Sequence, residues 1–296
     1  VDNSPDLTPP IISSVNPLTG GYLAKHKDSM NLSVWTNEPA NCKWDKKDTS
    51  YNFMQNEMLC LNSLINQEGE GFPCKTFLTG LKEGENKFYI RCQDTSNQTN
   101  IMQESYEYIV NVAEAELEME ITSPHDDEIF YTSNVYTTAE LKIKTSEGVE
   151  NGKARCDYSF NREDYIIMQS TYSKLHRQVF NTLINGNYTI WVRCEDVAGN
   201  LVNDSVSLSV DVDIRPPSIV RAYFSNNQLK IITNENADCK YANQPNIDFE
   251  NKQEMFDIQK EHTIPWEEGS IYYVECKDSF GNKAEINLES YQIVGI

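Results

Sequence analysis

The chain has 296 residues, with 25 Lys and Arg against 45 Asp and Glu, a formal net charge of −20. So acidic a surface repels nucleic acid and anionic lipid, which excludes both as expected partners, and it attracts cations such as Ca²⁺. No apolar run reaches the roughly 18 residues a spanning helix needs, so no membrane insertion is expected. The chain starts at Val1 rather than Met and shows no charged-then-apolar leader, the form expected of an exported protein whose signal has been removed.

Residues 1–10, VDNSPDLTPP, are polar and proline-rich and read as an N-terminal extended arm. From there, short alternating strands separated by turn residues run to the end of the chain, the pattern of an all-β protein built from β-sandwiches. A first domain is expected over 11–113: a strand over Ile11–Val15, another over Met30–Thr36, one carrying Cys42 and Trp44, and a closing strand over Ile101–Val112. Within it, an insertion over 55–74 is flanked by Cys60 and Cys74. Leu59, Leu61, Leu64 and Ile65 there have helix-like spacing, which predicts a short helix stapled by a Cys60–Cys74 disulfide.

A second domain is expected over 114–214. Leu117, Met119 and Ile121 alternate with Glu116, Glu118 and Glu120, giving one buried and one acidic face, and Val206–Ile214 closes the domain. A third, shortened domain is expected over 215–296. Its start, Arg215-Pro216-Pro217, echoes Thr8-Pro9-Pro10, and proline pairs there make semi-rigid joints. Ile219–Phe224 turns at Asn226-Asn227 straight into Leu229–Thr233, so an edge element of the first domain is expected to be missing. The ending ESYQIV matches ESYEYIV of the first domain.

The division into three rests on a repeat. KFYIRCQDTSNQTN at 87–100, NYTIWVRCEDVAGN at 187–200 and SIYYVECKDSFGN at 270–282 are one strand-and-hairpin written three times. Each has an upstream partner with a second cysteine: ANCKW at 40–44, ARCDY at 154–158 and ADCKY at 237–241. The expected disulfides are therefore Cys42–Cys92, Cys156–Cys194 and Cys239–Cys276, beside Cys60–Cys74. Zinc fits poorly, because no C-x₂-C pair exists. In a seven-strand sandwich these cysteines would sit on the third and sixth strands, neighbours in one sheet, unlike the inter-sheet pair of antibody domains. Closing such loops stabilises each domain by about 3–4 kcal/mol in the chain-entropy model.

The set of D-x-T-P-P at a domain start (Asp6–Pro10), C-x-[YW], a Tyr/Phe…Met segment, and C-x-D-x-x-G-N (Cys194–Asn200, Cys276–Asn282) resembles tandem Ig-like or fibronectin-III-like repeats of prokaryotic cell-surface proteins, archaeal ones above all. The resemblance covers nearly the whole chain. Cys92–Gln98 departs from it by lacking the Gly, so that hairpin is expected to differ, and the second domain lacks the Pro-Pro start. The resemblance implies a structural or adhesive role outside the cell and no catalytic residue, hence no enzyme.

Asp94, Asp196 and Asp278 stand two residues past the second cysteine of each repeat. They are candidate Ca²⁺ ligands, or else caps for the free N–H groups of the hairpin, the reading the single local carboxylate favours. No other cofactor is expected. Sequons at Asn31, Asn97, Asn187 and Asn203 are glycosylation candidates on an extracellular, cell-surface chain. His26, His125, His176 and His262 are scattered and suggest no metal or nucleophile–base set. Trp44 and Trp191, opposite in strand parity to their aliphatic neighbours, are candidates for an exposed aromatic stripe. Two functions compete. One is a subunit of a cell-surface filament, pilus-like fibre or surface layer, with copies of itself as partner. The other is an adhesin for a glycan or another surface protein, with the 55–74 insertion as its contact.

Overall fold

In the computed structural model, residues 6–290 are described. The first half of the expected arm, 1–5, and the end of the expected closing strand, 291–296, lie outside the described residues. The chain is all-β, a series of tandem Ig-like/fibronectin-III-like sandwiches whose sheets come from three consecutive stretches.

The first stretch supplies β1 Ile12–Asn16, β2 Gly21–Leu23, β3 Ser29–Thr36, β4 Ala40–Asp45, β5 Asn56–Glu57, β6 Leu59–Cys60, β7 Phe72–Thr79, β8 Gly84–Asp94 and β9 Tyr106–Val112. They form two sheets, β1-β3-β7-β6 and β2-β9-β8-β4-β5. Alternation drives them together: Leu32 and Val34 on β3, Phe88 and Ile90 on β8, and Tyr108 on β9 all point inward and are buried in one core. Burying side chains of this size from both sheets is the main force holding such a sandwich closed.

The second stretch supplies β10 Leu117–Ser123, β11 Glu128–Thr132, β12 Tyr136–Glu147, β13 Ala154–Ser159, β14 Ile166–Ile167, β15 Leu175–Ile184, β16 Gly186–Asp196 and β17 Leu201–Val212, in sheets β10-β12-β15 and β11-β17-β16-β13-β14. The third supplies β18 Ile219–Ser225, β19 Gln228–Thr233, β20 Asp238–Ala242, β21 Gln253–Glu254, β22 Phe256–Ile258, β23 Glu261–Pro265, β24 Ile271–Lys277 and β25 Lys283–Glu289, in sheets β18-β19-β23-β22 and β21-β20-β24-β25. By compactness the chain forms two units. One takes the chain up to Glu120 with Ile143–Arg177 and Trp191–Asp204, and the other takes Ile121–Lys142, Gln178–Ile190 and the chain from Ser205.

All eight cysteines are bonded: Cys42–Cys92, Cys60–Cys74, Cys156–Cys194 and Cys239–Cys276. Each pair lies directly opposite in the ladder of two neighbouring strands of one sheet. The bonds staple adjacent strands, and in the first and third sandwiches the cysteines pack into the same cores as the aliphatic and aromatic side chains.

Three sequence expectations are corrected. No helix forms over Leu59–Ile65. Leu59–Cys60 is a short strand paired with β7, and only the single 3₁₀ turn Leu64–Asn66 follows. The apolar residues found no core to face, so helical spacing had nothing to stabilise it. Trp44 is not on an outer face: it is buried with Ala40 and Cys42 on the core side of β4, edge-on to Phe88 at 5.4 Å, with its indole N–H donating to Thr76 Oγ1 at 3.0 Å. The match of ESYQIV to ESYEYIV also fails. Leu288 lies opposite Tyr272 as Tyr108 lies opposite Phe88, so Leu288 is the counterpart of Tyr108, and Ser290 falls near Val110 rather than Ser105.

Candidate functional site

The three hairpins that follow the second cysteines share one polar device. In the second, Asp196 Oδ1 accepts from the backbone N–H groups of Ala198 and Asn200 at 3.0 and 2.9 Å. Its Oδ2 accepts from Asn200 Nδ2 at 2.8 Å and from the Val149 N–H at 3.1 Å. In the third, Asp278 accepts from the Phe280 and Asn282 N–H groups at 2.8 and 2.9 Å and from Asn282 Nδ2 at 2.9 Å. Gly199 and Gly281 supply the positive φ, 84° and 93°, that brings the chain round for these bonds.

The first hairpin reaches the same end with a longer loop. Asp94 accepts from the Ser96 and Asn100 N–H groups and from Asn100 Nδ2 at 3.3, 2.9 and 2.7 Å. Thr99, at φ 51°, takes the left-handed position that lacks a glycine. Asn100, not Gln98, is therefore the counterpart of Asn200 and Asn282. The departure in Cys92–Gln98 is an insertion that preserves the Asp–Asn pair.

Each paired asparagine also grips a segment outside its own hairpin. Asn100 Nδ2 donates to the Asp6 carbonyl at 3.0 Å, and Asn282 Nδ2 donates to the Asp213 carbonyl at 2.7 Å. Asn200 Oδ1 accepts from the Lys25 N–H at 2.9 Å. In the first and third sandwiches a second clamp holds the same incoming chain. Asn37 exchanges hydrogen bonds with Ile11 (2.7 and 3.0 Å), and Asn234 exchanges them with Ser218 (2.6 and 2.9 Å). Thr36 and Thr233 hold these turns by donating to the carbonyls of Glu38 and Glu235.

These residues were missed in the sequence, although a signal was there. T-N-E-x-A-x-C occurs at Thr36–Cys42 and again at Thr233–Cys239, and D-x-x-P-P occurs at Asp6–Pro10 and Asp213–Pro217.

The clamps assemble acidic clusters. Asp6, Glu38 and Asp94 offer carboxylate oxygens within 4.8 Å of one another, as do Asp213, Glu235 and Asp278. Burial raises the Glu38 pKa above the ordinary value, with the Asp6 and Asp94 charges adding to it. The Thr8 N–H and then its hydroxyl lower that of Asp6. Such clusters are the residues that could hold a hard cation. Asp94 and Asp278, however, already spend both oxygens on N–H donors, the geometry of a cap. Asp196 joins no such cluster among the described residues. The third grouping of candidate ligands, Cys42, Cys60 and Cys74, consists of disulfide sulfurs and offers no thiolate.

The remaining candidates are dispersed. Asn31, Asn97, Asn187 and Asn203 are all exposed, as a glycan acceptor must be, and Asn187 Oδ1 accepts from Ser209 Oγ at 2.9 Å. Trp191 lies under the Arg162 guanidinium at 4.6 Å, so its outer face is covered by a cation rather than open. His176 is buried between Thr145 Oγ1 (3.0 Å) and Thr171 Oγ1 (3.2 Å), and burial lowers its pKa to about 4. His262 is equally buried beside Thr233 at 3.2 Å, and His26 stands in the open near Glu83 and Glu116. The 55–74 insertion exposes Leu59, Leu61, Leu64 and Ile65, with Leu64 and Ile65 at 77% and 93%. It is pinned at its other end by Trp35 Nε1 donating to Glu68 Oε2 at 2.7 Å and by Ser13 Oγ donating to the Glu70 carbonyl at 2.7 Å.

No helix among the described residues is long and apolar enough to cross a membrane. No protein-family model and no curated protein matches the chain. Among solved structures it is similar to fibronectin(III)-like modules of CbhA from Clostridium thermocellum, at 14% identity and a TM-score of 0.45, over 69% of this chain and 94% of that one. It is also similar to domains A168–A170 of titin, at 12% identity and a TM-score of 0.43, over 95% and 99%. A third likeness is to immunoglobulin domains 1–5 of Sidekick-1, at 9% identity and a TM-score of 0.40, over 97% of this chain and 59% of that one.

Proposed function

We propose that the chain is an extracellular structural protein, a subunit of a cell-surface filament, pilus-like fibre or surface layer built by contacts between copies through their Ig-like domains. The prokaryotic, archaeal setting is part of this proposal and rests on the sequence resemblance. The observation that carries it is the double clamp on the chain entering a sandwich. Asn100 and Asn37 grip the Asp6–Ile11 lead-in, and Asn282 and Asn234 grip the Asp213–Ser218 one. Clamps of this kind, with prolines between them, resist bending and pulling where a flexible linker would yield. Four disulfides support an oxidising, extracellular setting, and exposed sequons at Asn31, Asn97, Asn187 and Asn203 suit a glycoprotein. We propose the domain limits as 11–113, 114–214 and 215–296 after the 1–10 arm. The role needs no catalytic step. Negative-stain microscopy of the natively purified protein tests it. Uniform filaments or sheets are expected, and dispersed single particles at all concentrations would overturn self-assembly.

A second reading is an adhesin, with another surface protein or a glycan as partner. It is favoured by one observation, the exposed Leu59, Leu61, Leu64 and Ile65 on a stapled loop that the other two stretches lack. Deleting 61–69 should then abolish cell binding without affecting assembly.

A further inference from the structure

In the first two sandwiches the chain leaves its opening strand and crosses to the other sheet, where it lies parallel to the last strand. Gly21–Leu23 pairs with Val110–Val112, and Glu128–Thr132 pairs with Leu208–Val212. The third sandwich has no such element among the described residues. β18 turns through Asn226 and Asn227, both in the left-handed region at φ 54° and 60°, directly into β19. Among the described residues, β25 is the outermost strand of its sheet.

The core records the loss. The inward residues of the last strand are buried where the extra strand exists: Tyr108, Val110 and Val112 on β9, and Val206, Leu208 and Val210 on β17. Their counterparts on β25, Ile286 and Leu288, pack on the same kind of core yet are only half-buried. Ala222 on β18 and Trp266 share that state, with the Phe224 ring tilted against Trp266 at 4.9 Å. In the first sandwich only the short turn Pro17–Gly20 separates the opening strand from the parallel one, so the two sheet edges adjoin there. In the third sandwich Ala222 on β18 and Ile286 and Leu288 on β25 pack against one core, so a seam runs between these outer strands of its two sheets.

We propose that this seam is an acceptor for an extended segment of another polypeptide, which adds to β25 as a parallel strand and lays an apolar residue over Ile286 and Leu288. The two internal strands define the occupant. It is three to five residues long, as Gly21–Leu23 and Glu128–Thr132 are, and it turns an apolar side chain inward at alternate positions, as Leu23 and Phe130 stand in theirs. The net charge of −20 disfavours an acidic donor, and with it a second copy of this acidic chain, so the donor is neutral or basic. Main-chain hydrogen bonds to an unpaired edge supply the affinity, and the half-buried seam supplies the selection. The inference goes beyond the assembly of copies, which it leaves to other contacts, and rests on the surface reading only for the donor being another exported chain.

The test uses the full chain and a synthetic peptide, KEIFYTKK, which carries the Glu128–Thr132 strand on a basic frame. Hydrogen exchange over 283–290 should slow about tenfold with the peptide, and a control with proline in place of the phenylalanine should do nothing. A variant in which residues 123–136 replace Ser225–Gln228 fills the seam from within. It should melt higher and lose the peptide response. Unchanged exchange at millimolar peptide overturns the acceptor. Protection that grows with protein concentration alone shows a second copy in the seam and overturns the foreign donor. Filaments without peptide protection would sink this inference and leave assembly standing, and protection without filaments would do the reverse.

Discussion

Tyr108 shows how little freedom a single side chain has in these cores. It is fully buried, its hydroxyl has no hydrogen-bond partner among the described residues, and burial first, then the neighbouring Tyr106, pushes its pKa up to about 12. Its counterparts Leu208 and Leu288 carry no polar atom, so the hydroxyl serves no shared structural need. Tyr108→Phe should stabilise the first sandwich by about 1 kcal/mol in a denaturant titration, since it removes an unsatisfied buried group and keeps the ring. His176 has a larger effect that depends on pH. Only 2% of it is exposed, and burial lowers its folded pKa from the ordinary 6.5 to about 4. Above pH 6.5 both states are neutral and stability is flat. Between 6.5 and 4 the unfolded chain takes up a proton that the folded one refuses, so stability falls as pH drops, by about 3 kcal/mol in all. Denaturation midpoints between pH 7 and 4 should show this slope, and His176→Gln should flatten it.

The hairpin is the element on which the joints depend. Removing the Asp196 carboxylate leaves the Val149, Ala198 and Asn200 N–H groups without their acceptor. Asp196→Ala should therefore cost about 2–3 kcal/mol. Gly148→Ala should damage the same place from the other side. Gly148 has φ +60°, and a Cβ there would stand 2.6 Å from Asp196 Oδ2. Both variants should lower the melting temperature and loosen amide exchange at Val149, and an unshifted melt would show that the cap is dispensable. The staples differ in reach. Cys60–Cys74 closes a separation of 14 residues and Cys42–Cys92 closes one of 50. In the chain-entropy model they contribute about 3 and about 4 kcal/mol. Paired Cys→Ser variants measured by denaturant titration should lose stability in that order.

At the scale of the whole molecule, the acidic surface poses the question of metal. Asp94 and Asp278 already accept hydrogen bonds at both oxygens. Chelation should therefore leave the melting temperature within about 1 °C, a shift well under 1 kcal/mol for domains of this size. A rise of several degrees on adding millimolar Ca²⁺ would instead assign the Asp6–Glu38–Asp94 and Asp213–Glu235–Asp278 clusters to a cation.

The all-β class, the tandem sandwiches and the missing edge element of the third were legible in the chain, because strand alternation and turn residues are local signals that survive without a partner. Asp94, Asp196 and Asp278 were legible as caps for the same reason, since their hairpin donors lie within a few residues, whereas the Val149 N–H that also reaches Asp196 does not. Other features depended on neighbours that only folding supplies. Trp44 faces inward because β8 and β7 bring Phe88 and Thr76 to it, which parity within one strand does not reveal. Leu59–Ile65 has helical spacing but no surface to bury it against, and so it lies open beside a strand. The grip of Asn100 on Asp6 spans 94 residues and that of Asn282 on Asp213 spans 69. The repeated T-N-E and D-x-x-P-P motifs mark the clamp segments, but no local pattern says that the two meet. The contact exists because closing the sandwich brings the hairpin at one end of the chain's path beside the segment that entered it, where the amide meets a free carbonyl.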